Sequence, residues 1–204
     1  MFSTIIFDFD GTLVDSNDIK LSAFTSVLAS SDQISLMLKV IDEVNGDRFS
    51  IFRSFVDEAH KEKVPLNTNY EDLVDLYSSN VDHKVSHCKS IDGAEELLKK
   101  LQACKKRVIL SSATPIENLQ KIIKSRKWDQ YFDAIYGSPH LKENTLSQII
   151  NQGSLDPSSL IVVGDGLDDK YSAEINECMF YPVGLGTINK RNNNLRTLME
   201  YLGM

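Results

Sequence analysis

The apolar run Ile5-Ile6-Phe7 stops abruptly at Asp8-Phe9-Asp10-Gly11. A short, continuous apolar segment rich in branched and aromatic side chains, closed by a glycine, reads as a strand buried on both faces of a sheet. The two aspartates then fall just past its carboxyl end, where open α/β sheets place their ligands. Strand alternation aims residues i and i+2 the same way. Two like charges held side by side repel unless a cation or a shared proton compensates them. That pairing suits one carboxylate as nucleophile and metal ligand and the other, partly protonated, as acid and base. Gly11 lets the backbone turn sharply and approach a ligand.

The full string Asp8-Phe9-Asp10-Gly11-Thr12-Leu13-Val14-Asp15-Ser16 resembles the first motif of the haloacid dehalogenase-like (HAD) hydrolases, a superfamily dominated by Mg-dependent phosphatases. Within it the chain is most similar to the phosphoglycolate phosphatase and β-phosphoglucomutase branch, which carries a helical cap. The resemblance implies three further motifs in a set order, each at a strand end.

The rest of the chain divides by periodicity. Over residues 17–87 apolar side chains recur at helical spacing, as in Leu21, Phe24, Val27 and Leu28 or Phe52, Phe55 and Val56. Four helices are expected there, with N-caps at Asn17 or Asp18, Asp32, Asp47, and Asn67 or Thr68. From Ile91 strands and helices alternate: strands at Arg107–Leu110, Ala134–Tyr136, Leu160–Val163 and Met179–Val183, and helices at Glu95–Leu101, Ile116–Lys124, Lys142–Ile150 and Asn194–Leu202. The predicted fold is α/β, a Rossmann-like parallel five-stranded sheet flanked by helices. Residues 1–16 and 88–204 would form this core, and 17–87 an inserted all-helical cap domain.

The later motifs fall where the resemblance requires them. At the end of the second strand Ser112 matches the second motif, a hydroxyl that binds a phosphoryl oxygen with help from backbone N–H groups of the following turn, beginning at Ala113. Ser111 competes for that role, since alternation lets only one of the two face the site. Lys142 matches the third motif, a catalytic ammonium that steadies charge on nucleophile and transferred group; Glu143 stands where a proline often follows it. Asp165 and Asp169 match the fourth. Their four-residue spacing makes Asp168 a bystander. Asp8, Asp10, Asp165 and Asp169 are thus the implied ligands of Mg2+, a hard ion suited to oxygen donors. Asp8 and Asp10 are the implied catalytic pair, and Gly11 an implied substrate contact.

Within the helical insertion, Arg48 follows Gly46-Asp47 and has two readings: a side chain that grips an anionic part of the substrate, or a solvated cation at a helix start. His83, His87 and Cys88 invite a metal, but no further ligand at fitting spacing accompanies them.

Composition narrows the partners. The net charge is −7 and no Lys/Arg run forms a phosphate-tracking stripe, so nucleic acid is not an expected partner. The amino terminus lacks the basic and apolar regions of a secretory leader, and nowhere do eighteen apolar residues run together. The expectation is a cytoplasmic monomer or weak homodimer, away from membranes. Cys88, Cys104 and Cys178 are odd in number and far apart, as reduced thiols would be. The resemblance implies hydrolysis of a small phosphomonoester, such as a sugar phosphate or phosphoglycolate-like metabolite, through an aspartyl-phosphate. A sugar phosphomutase of the same family would use the same motifs. A dehalogenase would lack the second aspartate that stands here as Asp10. A non-catalytic module is at odds with the intact acidic and basic positions.

Overall fold

A computed structural model describes residues 2–44, 46–184 and 193–204, which fall into two compact units, 1–16 with 88–204 and 17–87. The larger unit carries five parallel strands, β1 (Thr4–Phe7), β2 (Arg107–Pro115), β3 (Ala134–Ser138), β4 (Leu160–Gly164) and β5 (Met179–Pro182), in the order β3-β2-β1-β4-β5. The predicted five-stranded parallel sheet is therefore present.

The most apolar strand takes the centre. All four residues of β1 are buried, and it pairs with β2 on one side and β4 on the other, Phe7 lying opposite both Leu110 and Val163. One sheet face is covered by α7 (Lys142–Gly153) and α8 (Leu167–Ile175), through a cluster of Ile6, Ile109, Leu146, Ile149, Val162 and Ala173. Alternation sends Ile5 and Phe7 to the other face. There α5 (Ala94–Ala103) packs on β2 and on α9 (Leu195–Tyr201), while α6 (Ile116–Ser125) packs on β2 and β3. Because all strands run the same way, their carboxyl ends share one edge. β1 also marks the switch in strand order, the place where such sheets bind ligands.

The smaller unit is the predicted set of four helices: α1 (Asn17–Ser26), α2 (Ser31–Glu43), α3 (Arg48–Glu62) and α4 (Tyr70–His87). Its core includes three rings, with Phe24 4.3 Å from Tyr77 and 5.2 Å from Phe52 between centroids. Asp47 caps α3 as expected, accepting from Ser50 N at 2.9 Å. Two other caps are shifted. Ser30, not Asp32, caps α2, and Asn69 accepts from Asp72 N at the start of α4, in place of Asn67 or Thr68. Several polar residues in each turn satisfy the spacing rule equally well, and the path of the preceding loop selects one. Among the described residues no helix is long and apolar enough to cross a membrane.

Candidate active site

The register of the central strands carries straight into the site. Beyond Phe7, Leu110 and Val163 the next residues are Asp8, Ser111 and Gly164, and Asp8 N donates to Val163 O at 2.9 Å, continuing the ladder. Asp8 has the same parity as Ile6, so its side chain points to the α7 and α8 side. Lys142 at the first position of α7 meets it there: Nζ lies 2.9 Å from Asp8 Oδ1 and 2.7 Å from Asp169 Oδ1. Asp169 sits in the first turn of α8, where its Oδ2 also accepts from Gly166 N at 3.2 Å. A side chain at Gly164 would collide with this carboxylate, so the glycine is what lets α8 start so close to β4.

Asp8, Asp165 and Asp169 each offer a carboxylate oxygen, all within 4.8 Å of one another, an arrangement able to hold a metal ion. An all-oxygen, multiply anionic set fits a hard divalent cation such as Mg2+. Thr12 Oγ1 donates to Asp165 Oδ1 at 3.5 Å, a long contact that steadies the more exposed member of the group.

Burial raises the Asp8 carboxyl well above the usual carboxylate range, the Lys142 ammonium opposing it while Asp169, Asp165 and Asp10 reinforce it. Asp169 is likewise pushed up by burial, to about 6, although Lys142 pulls it down. For Lys142 burial favours the neutral amine, but Asp8, Asp169 and Asp168 outweigh it and hold the ammonium charged. Without a cation, the site is over-supplied with negative charge.

The carboxylate of Asp10 is held by hydroxyls. It stands apart from the three-carboxylate group: Oδ1 accepts from Ser16 Oγ at 2.6 Å, and Oδ2 accepts from Thr114 Oγ1 at 2.9 Å and Ser112 Oγ at 3.5 Å. These hydroxyls turn it toward the β2 side. Ser112 is buried beside it and also receives Thr114 N at 3.1 Å. Ser111 faces the other way and lines a void of about 10 Å3 with Asp8, Lys142 and Asp169. Ala113, between Ser112 and Thr114, is exposed.

Two neighbouring residues have definite partners. Gly11 adopts φ +76° and its N–H is taken up by Val14 O at 2.8 Å, so it shapes the turn and has no free donor for a substrate. Asp168 lies outside the three-carboxylate group, as the four-residue spacing implies, but it pairs with Lys142. Its Oδ2 lies 2.8 Å from Lys142 Nζ, and despite partial burial the ammonium holds its carboxyl below the usual range. Helical geometry explains the pairing, because consecutive residues in the first turn of α8 both reach a cation placed off the helix start.

Arg48, in the helical unit, is not a solvated cation. It is buried, donates from Nη1 to Ser78 Oγ at 2.8 Å, stacks over Tyr77 with Cζ 5.0 Å from the ring centroid, and lies 4.0 Å from Asp82 Oδ1. His87 Nδ1 contacts His83 O at 2.9 Å, and among the described residues these histidines form no metal cluster.

Sequence reasoning passed over Ser16 and Thr114. The signal for Ser16 was present, since it closes the first motif. For Thr114 the signal was parity itself, since it lies two residues after Ser112 in β2 and its hydroxyl reaches the same Asp10 oxygen.

The comparisons agree with this geometry. A phosphoglycolate phosphatase of Psychrobacter arcticus is 25% identical over 177 residues, covering 81% of this chain and 76% of that protein. Among solved structures, the HAD-hydrolase YfnB of Bacillus subtilis, bound to magnesium, superposes with a TM-score of 0.76 at 14% identity, covering 100% of this chain and 99% of that one. A predicted phosphoglycolate phosphatase of Haemophilus somnus gives 0.72 at 19% identity, covering 96% and 90%. A family model for haloacid dehalogenase-like hydrolases matches residues 5–181, the span that runs from the first strand through every motif to the last, and the chain belongs to that family.

Proposed function

We propose that the protein is a Mg2+-dependent phosphatase that hydrolyses a small phosphomonoester through an aspartyl-phosphate on Asp8. The observation that carries this reading is the convergence of Asp8, Asp165 and Asp169 with Lys142 bonded to Asp8 Oδ1, while Asp10 stands separately in a cradle of hydroxyls.

Lys142 engages Oδ1 of Asp8, leaving Oδ2 to attack phosphorus. The bond from phosphorus to the leaving oxygen breaks as the bond to Asp8 forms, and Asp10 gives its proton to the departing alkoxide. In the second half a water attacks phosphorus, Asp10 takes up its proton, and the Asp8–phosphorus bond breaks to release phosphate. Ser16 and Thr114 hold Asp10 in place through both steps. Ser112 and the N–H of Ala113 receive a phosphoryl oxygen. Asp8, Asp165 and Asp169 hold the cation, which supplies neutralisation of charge between nucleophile and phosphate. Positioning and electrostatics carry most of the rate enhancement in phosphoryl transfer.

Residues 17–87 are the proposed cap, which excludes water and reads the substrate beyond its phosphate. The name of the Psychrobacter relative, a phosphoglycolate phosphatase, supports a small phosphorylated acid as substrate. The test is a screen of phosphoglycolate, sugar phosphates and nucleoside monophosphates with Mg2+, for the wild type and Asp8→Asn. Turnover and acid-stable labelling from 32P-substrate should appear in the wild type and vanish in the variant. Turnover that persists in Asp8→Asn would refute the mechanism.

A further inference from the structure

Lys142 has more anionic partners than its proposed role needs. An ammonium carries three N–H donors and no acceptor. Three carboxylates surround it: it donates to Asp8 Oδ1 at 2.9 Å and Asp169 Oδ1 at 2.7 Å, and it forms an ion pair with Asp168 Oδ2 at 2.8 Å. The side of the ammonium not bonded to Asp8 and Asp169 is occupied by the Asp168 carboxylate, which a phosphoryl oxygen reaching that side must displace. The three are not equal. The side chains of Asp8 and Asp169 are 6% and 2% exposed, whereas that of Asp168 is 48% exposed. Detaching either of the first two strands a buried charge at high cost. Releasing Asp168 returns a half-exposed carboxylate to water, which costs little. Gly166 makes its present position possible, since a side chain there would collide with Asp168 Oδ1.

We propose that Asp168 is a positioning residue that pairs with the open side of the Lys142 ammonium until an incoming phosphoryl oxygen displaces it, and that it thereby sets how weakly the site holds phosphate. Resting on the phosphatase reading, this assigns Asp168 the part of an internal competitor. It keeps the ammonium between Asp8 and Asp169 in the free enzyme, and it hastens product release by returning when phosphate leaves. A residue that merely supported the site would show the opposite sign, because its loss would loosen Lys142 and weaken anion binding.

The experiment is calorimetric titration of the Mg2+-loaded protein with inorganic phosphate, for wild type, Asp168→Asn and Asp168→Ala, with steady-state kinetics on the best substrate of the screen. Phosphate should bind roughly three- to tenfold more tightly in both variants, the worth of one half-exposed charge. KM should fall with it, and kcat should not rise. Unchanged or weaker phosphate binding in natively folded variants would overturn the proposal. A crystal structure of the wild type with phosphate needs no variant: Asp168 beyond hydrogen-bond reach of Nζ, with a phosphate oxygen in its place, supports displacement, and Asp168 still bonded to Nζ refutes it. A wild type that turns over no phosphomonoester would sink the phosphatase reading itself, a result distinct from turnover with unchanged variants.

Discussion

Ser16 donates its hydroxyl proton to Asp10 Oδ1 at 2.6 Å, and Ser16 is both fully buried and the last residue of the α/β unit before the helical one begins. The backbone around it is held as well. Asp15 N donates to Lys89 O at 2.9 Å and Ile91 N to Leu13 O at 2.9 Å, so the outgoing and returning segments are tied to each other. The proposed acid and base is thus oriented by the chain segment that leads out of its own unit.

Replacing Ser16 with Ala removes one of the two short bonds to Asp10 and leaves Thr114 Oγ1. kcat/KM should fall about tenfold for alkyl phosphates, which need a proton on the leaving oxygen, in keeping with the worth of one hydrogen bond to a charged group. An aryl phosphate with a good leaving group should lose much less. The ratio of the two specificity constants, wild type against Ser16→Ala, is the measurement; equal losses would separate Ser16 from proton transfer.

The buried carboxyls predict how metal-free stability responds to pH. Asp8 and Asp169 hold protons more tightly folded than unfolded, Asp169 with a folded value of about 6. Such groups stabilise the fold fully below the ordinary carboxyl range and lose that contribution as pH rises through their folded values. With EDTA the protein should therefore melt several degrees higher at pH 5 than at pH 7.5, reflecting on the order of 2 kcal/mol. Mg2+ competes with those protons, so its stabilisation should be largest at pH 7.5 and shrink below pH 6. Thermal unfolding across pH, with and without Mg2+, reads both trends, and Asp169→Asn should flatten them.

Arg48 is built into the helical unit through Ser78 and Tyr77. Arg48→Ala should destabilise that unit by roughly 1.5–3 kcal/mol, from a lost hydrogen bond of a charged group and a lost ring contact. Arg48→Lys should recover only part of this, because an ammonium lacks the planar stacking surface. Hydrogen exchange over residues 17–87 locates the loss. An unaltered exchange pattern would leave Arg48 free to serve only the substrate.

Much of the architecture was legible from local pattern. The β-rich run Ile5–Phe7 announced a central strand, helical spacing announced the four helices of 17–87, and each later strand lay within a few residues of its expected position. These are short-range properties: burial on both faces demands continuous apolar residues, and a helix face demands its own period. The positions of Asp8, Ser112 and Asp165 near strand ends, and of Lys142 at the start of the helix that follows β3, follow from the same logic, since parallel strands bring successive carboxyl ends to one edge.

What the pattern left open is which partner each polar side chain takes once it arrives there. Asp10 and Thr114 are 104 residues apart, and Lys142 and Asp168 are 26 apart; their meetings depend on sheet register and helix placement. Parity assigned Ser112 and Ser111 to opposite faces and put Thr114 on the side of Ser112, but it could not say that Asp10 would meet both hydroxyls there. Spacing set Asp169 apart from Asp168, yet the helix start presents both to one ammonium. Arg48 read either as a substrate grip or as a solvated helix-start cation, whereas its actual partners, Tyr77 and Ser78, lie about thirty residues away on another helix. The chain's own order of residues determined the sheet, the helices and the set of groups delivered to the catalytic edge; only the tertiary structure decided their pairing, because hydrogen bonds and ion pairs depend on distances of a few tenths of an ångström that no one-dimensional period encodes.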